Sequence, residues 1–294
     1  MNSAPADFEA QEFGVRNLTV RFGDTTAVND VTLAVPRGHV TAVVGGDGAG
    51  KSTLLGTLVG LVAPAVGIVN APPAEQLGYL PATAGSWGEL TVGQNMSFVA
   101  EVYGLADHGR SQALLEGAQL WDVRDRLARD LSGGMRKKLS FCMAVLPDPE
   151  LIVLDEPSTG VDPVSRVELW RLITESAANG TAVVMATTYI DEAERAGWVL
   201  ALDHGEALVA AAPRAAVEQM PGIVIDTPAP TDRALAWRRG RQYRQWIPPG
   251  SPGSPGTESG SSLAGQQVTP DLETAVIVAS LQAQRLGRAP SAAS

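Results

Sequence analysis

The chain has 294 residues, 45% of them hydrophobic, with 22 Lys and Arg against 32 Asp and Glu for a net charge of -10. That length and apolar content exclude a wholly disordered chain and allow one large α/β domain or two modest ones. The negative balance excludes a surface given over to nucleic acid or anionic lipid, and the single Cys142 excludes an internal disulfide.

The opening MNSAPADFEAQEF lacks the charged and apolar regions of a signal peptide, and residues 1–12 are expected to be disordered. No run approaches the roughly eighteen apolar residues of a membrane-spanning helix, so the expectation is a cytoplasmic chain. LTVRF from Leu18 and VTLAV from Val31 read as strands and lead into a third, HVTAVV from His39, which ends in a Gly-rich turn before a helix opening at Ser52. Strand, loop, helix is the first unit of a parallel α/β sheet. The turn, GGDGAGKS over residues 45–52, matches G-x-x-x-x-G-K-[ST]. Gly45, Gly46, Asp47, Gly48, Ala49 and Gly50 let successive backbone N–H groups face phosphates, Lys51 reaches the outer phosphates, and the Ser52 hydroxyl can ligate Mg²⁺.

From about 91 to 145 strand alternation stops and the pattern is helical, opening on Thr91 and Gln94 at capping-box spacing. Within it, LSGGM sets Ser132, Gly133 and Gly134 at a helix N-terminus, a place suited to an anion. LIVL from Leu151 ends in Asp155 and Glu156, the Asp to support Mg²⁺ and the Glu to activate a water for attack on a γ-phosphate. TAVVMA from Thr181 ends in Thr187 and Thr188, so acidic and hydroxyl groups sit at strand C-termini, where open α/β sheets hold ligands. Residues 226–294 read as a tail. In it Arg233, Arg238, Arg239, Arg241 and Arg244 alternate with Trp237, Tyr243 and Trp246; a Pro/Gly/Ser-rich linker follows over 248–268, then a docking helix over 270–286.

Together GGDGAGKST, LSGGM, LIVLDEPSTGVDP and TTYIDEAE resemble the ATP-binding cassette (ABC) ATPases, over approximately residues 13–219. The resemblance implies an α/β P-loop NTPase fold of the ABC type: a mixed sheet core, an inserted helical subdomain at about 90–145 and a β-rich adenine-side subdomain, with the cassette at 13–225. It implies ATP and Mg²⁺ as ligands, with Gly45, Gly50, Lys51, Ser52 and Thr53 on phosphate and metal. Two cassettes pair head to tail in that family, so Ser132, Gly133 and Gly134 would complete a partner's site. Gly160, Val161, Asp162 and Pro163 would cross the seam, and Phe22 would stack on adenine. A membrane permease would be the other partner, holding the chain on the inner face of the membrane, and helical residues around 87–103 would form the docking surface.

Two positions depart from the pattern. Ala82 stands where the family has a Gln that touches Mg²⁺ and the attacking water, with Gln76 and Gln94 the nearest and poorly placed substitutes; Thr188 stands where it has a His on the γ-phosphate. Losing a positioned donor slows such chemistry by about 10²- to 10³-fold, so binding is expected to survive and hydrolysis to suffer, although Glu156 is retained. These departures are most similar to the first cassette of tandem-cassette exporters, and TPDLETAVIVASL is similar to an element closing many drug-exporter cassettes. Two other readings stay open: a soluble ABC protein acting on ribosomes or nucleic acid through residues 233–246, against which the charge of -10 weighs, and a regulator that binds ATP without turnover.

Overall fold

The computed structural model describes residues 12–83, 85–106, 109–251 and 265–287. The disorder expected at 1–11 and the centre of the expected linker, 252–264, lie outside them; Glu12 already belongs to a strand. The chain forms two compact units, Met1–Ala207 and Leu208–Ser294, so the division falls before the boundary at 225 drawn from sequence.

In the first unit β1 (Glu12–Phe22) pairs antiparallel with β2 (Thr25–Pro36). β3 (Val40–Val44) runs into the Gly-rich turn and α1 (Lys51–Leu58), and β4 (Val66–Asn70) returns to β1, giving the order β2-β1-β4. β5 (Leu77–Leu80) leads to three helices, α2 (Val92–Val102), α3 (Arg110–Gly117) and α4 (Gly133–Val145), the helical region expected at about 90–145. Then come β6 (Leu151–Asp155), α5 (Pro163–Ala178), β7 (Ala182–Thr187), the short α6 (Ile190–Ala193) and β8 (Trp198–Asp203), and then β9 (Glu206–Ala211), within which the division between the units falls. They complete a six-stranded sheet of order β5-β6-β7-β3-β8-β9, in which β3 is parallel to β7 and β8, and β6 to β5 and β7.

Every residue of β3, β6 and β7 is buried. Parallel strands covered on both faces read as unbroken apolar runs, which is why VTAVV, LIVLD and AVVMAT lack alternation. Helix α1 presents Leu54, Leu55 and Leu58 to this core, and Val15, Leu18 and Val20 of β1 join the same cluster. Through β3 and α1 the core holds both ends of the Gly-rich turn.

The second unit carries α7 (Pro213–Glu218), then a sheet of β10 (Ile223–Thr227), β11 (Ala236–Arg239), β12 (Gln242–Ile247) and β13 (Gln266–Gln267) in the order β11-β12-β10-β13, closed by α8 (Leu272–Arg285). Val224, Trp246 and Val278 form its core, with Trp237 and Leu281 against them. The stretch read from sequence as a tail is thus a folded sheet, and Gln266 and Gln267, inside the linker expected over 248–268, pair with β10. Among the described residues no helix is long and apolar enough to cross a membrane.

Candidate functional site

The Gly-rich turn leaves β3 with its backbone closely packed and its tip open. A Cβ at Gly45 would lie 2.4 Å from the Leu202 carbonyl oxygen, whereas one at Gly46 or Gly48 would meet nothing within 4 Å. Gly50 caps α1 with φ 100, a left-handed conformation that suits glycine, and a Cβ there would strike the Ala27 carbonyl at 2.5 Å. The first N–H groups of α1 therefore stand beside an unobstructed loop, the geometry that receives phosphate. Lys51 is buried; its Nζ donates to the Gly45 and Gly46 carbonyls at 2.8 and 3.1 Å and lies 3.4 Å from Glu156 Oε1. Thr53 follows two residues on, in the first turn of α1.

Asp155 ends β6 beside α1. The Ser52 hydroxyl donates to Asp155 Oδ1 at 3.1 Å, setting a hydroxyl and a carboxylate together, hard oxygen donors of the kind Mg²⁺ takes. Burial pushes the Asp155 carboxyl above the ordinary carboxylate range; the Ser52 hydrogen bond pulls it down and the Glu156 charge pushes it up again. Glu156 has φ 48, uncommon for a side chain of its size. Its N–H donates to the Ala186 carbonyl on β7, and its Oε2 accepts from Thr159 Oγ1 at 2.9 Å.

The structure thus brings Lys51, Ser52, Asp155 and Glu156 together. No hydrogen bond among the described residues joins Ser132, Gly133 or Gly134 to them. Ser132 caps α4 by accepting from the Met135 N–H, and Ser132 and Gly133 are exposed. A Cβ at Gly133 would lie 3.2 Å from the Gly160 carbonyl, and one at Gly134 2.5 Å from the Ser165 side chain. The LSGGM segment therefore rests on the loop at 160–163 and the start of α5, which Asp162 caps by accepting from the Val164 and Ser165 N–H groups. Phe22, at the end of β1, is 56% exposed. Thr188 is exposed too, while its neighbour Thr187 is buried, donates to Glu192 Oε2 at 2.6 Å and accepts the Tyr189 N–H.

Beside the Ala82 carbonyl stands a cation that sequence reasoning passed over. Lys137 Nζ of α4 donates to the Ala82 carbonyl at 3.0 Å and the Glu156 carbonyl at 3.2 Å. Burial holds this amine below its ordinary value, against the pull of Asp155 and Glu156. Within RKKLSFCMAVL it was one Lys of an amphipathic run, and nothing local distinguished it. Gln94 is occupied in the α2 capping box, its Oε1 accepting from the Thr91 N–H, and Gln76 lies in the turn before β5. Cys142 is buried and its thiol is pushed up to about 12 by that burial, which makes it a core residue rather than a nucleophile.

A phosphate loop between β3 and α1, with a carboxylate from β6 on its hydroxyl and a second beside its lysine, defines a P-loop NTPase. Residues 28–159 match the family described as ABC transporter. The chain is also 33% identical to the Nod factor export ATP-binding protein I of Burkholderia lata across 74% of each chain, and it belongs to the ABC transporter ATP-binding proteins, P-loop ATPases. It is 34% identical to the "Probable multidrug ABC transporter ATP-binding protein YbhF" of Escherichia coli over 84% of this chain, but spans only 45% of that relative's length. Among solved structures, an ATP binding subunit of an ABC transporter superposes with a TM-score of 0.65 at 27% identity, covering 71% of this chain and 92% of the other. The cbiO1 protein of Clostridium perfringens, part of the ABC transporter complex cbiONQ, superposes at 0.63 and 25% identity, over 71% and 92%.

Proposed function

We propose that this chain is the ATP-binding subunit of an ABC exporter, pairing head to tail with a second cassette and driving a separate membrane permease from the cytoplasmic face. The observation that carries the reading is the exposure of Ser132 and Gly133 at the start of α4, bound to 160–163 and not to the chain's own phosphate loop. An anion site facing outward on one chain suits a nucleotide held by another.

At the chain's own loop, ATP exchanges the Gly45 and Gly46 carbonyls on Lys51 for phosphate oxygens, and the Mg²⁺ that Ser52 and Asp155 suit would neutralise charge on the outer phosphates. Glu156 takes the proton of the attacking water, and Phe22 offers its exposed ring to adenine. Hydrolysis here is slow, because Ala82 brings no polar side chain and Thr188 no imidazole to the γ-phosphate. These two departures support the likeness to the first cassette of a tandem exporter.

The permease reading draws on Leu61, Trp87, Phe98, Val102 and Tyr103, all exposed. Leu61, Trp87 and Tyr103 line a depression of about 340 Å³ with Val59, Tyr79 and Val99, and Trp87 packs edge-on to Phe98 at 4.5 Å. Exposed apolar groupings of this kind mark interaction sites. The nucleic-acid alternative loses its phosphate contacts at Arg244, which is buried on Asp226, and at Arg239, which pairs with Asp271.

Lys51→Ala and Ser132→Arg test the proposal. With the reconstituted transporter, Lys51→Ala abolishes nucleotide binding at this chain's loop yet leaves most turnover, whereas Ser132→Arg leaves that binding intact and stops turnover. Fast single-turnover hydrolysis by the purified chain alone would overturn the slow-site reading.

A further inference from the structure

Lys137 joins two points of the first unit that lie far apart in sequence. From α4 its ammonium reaches the Ala82 carbonyl just after β5 and the Glu156 carbonyl just after β6. Glu156 is the residue whose backbone most needs holding, because φ 48 is sparsely populated by side chains of its size and persists only where the surroundings determine it. Its N–H is fixed by the Ala186 carbonyl; its own carbonyl has the Thr159 N–H at 3.4 Å and Lys137 at 3.2 Å. Of these two partners only the ammonium carries charge, and charge-assisted hydrogen bonds are about twice as strong as neutral ones. The neighbouring Lys138 is buried and pairs with Glu168 of α5, so the two lysines act separately.

We propose that Lys137 is a positioning residue for Glu156: it ties the peptide that aims this carboxylate to helix α4 and to the Ala82 loop. The proposal rests on Glu156 being the group that activates water. Rotation of α4 then changes the aim of Glu156 while Lys51 and Ser52, on α1, keep their place on the phosphates. The tie therefore acts on turnover and not on affinity.

The test uses the full chain with Lys137→Met, which keeps the length and removes the charge, and Lys137→Arg, which restores it. Hydrogen exchange without nucleotide is followed over residues 79–83 and 154–160, alongside affinity for a fluorescent ATP analogue and single-turnover ATP hydrolysis. The expected result for Lys137→Met is exchange about tenfold faster in both segments, analogue affinity within about threefold of wild type, and hydrolysis about tenfold slower, with Lys137→Arg recovering exchange and rate. Unchanged exchange in these segments, or identical behaviour of Met and Arg, would overturn the proposal, as would affinity falling in step with rate. If Lys137→Met does not fold, Lys137→Gln carries the same comparison. A wild-type chain that binds no ATP analogue refutes the nucleotide reading itself, and leaves the exchange comparison to judge the tie.

Discussion

Gly134 shows how narrowly a single position can be specified. A methyl group there would lie 2.5 Å from Ser165 Cβ, far inside contact distance, so Gly134→Ala must push α4 from α5. We expect it to destabilise the chain by about 1–3 kcal/mol, read as a lower midpoint in urea at unchanged slope. Gly46→Ala is the contrast: with nothing within 4 Å, it shifts stability by less than about 0.5 kcal/mol, but the added methyl crowds the loop and weakens binding of an ATP analogue. The phosphate loop was legible in sequence because its chemistry is contiguous: glycines, lysine and hydroxyl occupy eight successive places and act through their own backbone. Lys137 was not legible, because its partners stand 55 and 19 residues away and only the packing of α4 brings them within reach.

At the level of elements, local rules were read correctly where the stabilising bonds are local. Thr91 and Gln94 form the capping box their spacing anticipates. Asn95, one residue on, was unremarked, yet it is fully buried and ties the preceding loop to α2: its Oδ1 accepts the Trp87 N–H, and its Nδ2 donates to the Trp87, Leu90 and Thr91 carbonyls. Asn95→Ala leaves the Trp87 N–H without its partner and takes one of two hydrogen bonds from each of the Trp87, Leu90 and Thr91 carbonyls, which keep their backbone donors, and should cost about 1–3 kcal/mol, with hydrogen exchange accelerated at 87–91 before the rest of the unit. The second unit was missed for the opposite reason. β10 pairs with β12 and, some forty residues on, with β13, pairings that no short-range spacing marks, while the alternating Arg and aromatic residues of the local β11–β12 hairpin were read as a tail. Its closing helix is sensitive to acid. Burial raises the Asp271 carboxyl, but hydrogen bonds from Thr274 and the Arg239 guanidinium outweigh it and hold the group below its ordinary value. A depressed carboxylate stabilises the fold above the unfolded-state pKa of about 3.9, and that contribution disappears as pH falls through the lower folded value. Exchange protection of α8 should therefore stay level from neutral pH to about 5 and fall below 4 in wild type, and Asp271→Ala, which removes the cap, should lower it at every pH.

On the scale of the molecule, the chain supplies a complete phosphate loop and a complete LSGGM segment that do not meet each other. The apolar depression between α1, β5, α2 and α4 belongs to the same unit and lies apart from both. Trp87→Ala with Tyr103→Ala removes its exposed aromatic rim. The double variant is expected to bind ATP analogue as wild type does and to lose co-purification with the permease from detergent; retained co-purification would place the docking surface elsewhere.

The outward-facing Ser132 and Gly133 also carry a genetic consequence. A site assembled from the loop of one chain and the LSGGM of another has two owners, so damage to either is inherited by the pair. If the second cassette is another copy of this chain, a cell expressing Lys51→Ala together with Ser132→Arg builds mixed pairs in which one of the two sites receives an intact half from each mutant. Two alleles that are each silent would then complement. If the second cassette is a different protein, Lys51→Ala alone keeps most export and only Ser132→Arg is silent, so whether Lys51→Ala is silent by itself and is rescued by Ser132→Arg reports the composition of the pair without purifying it.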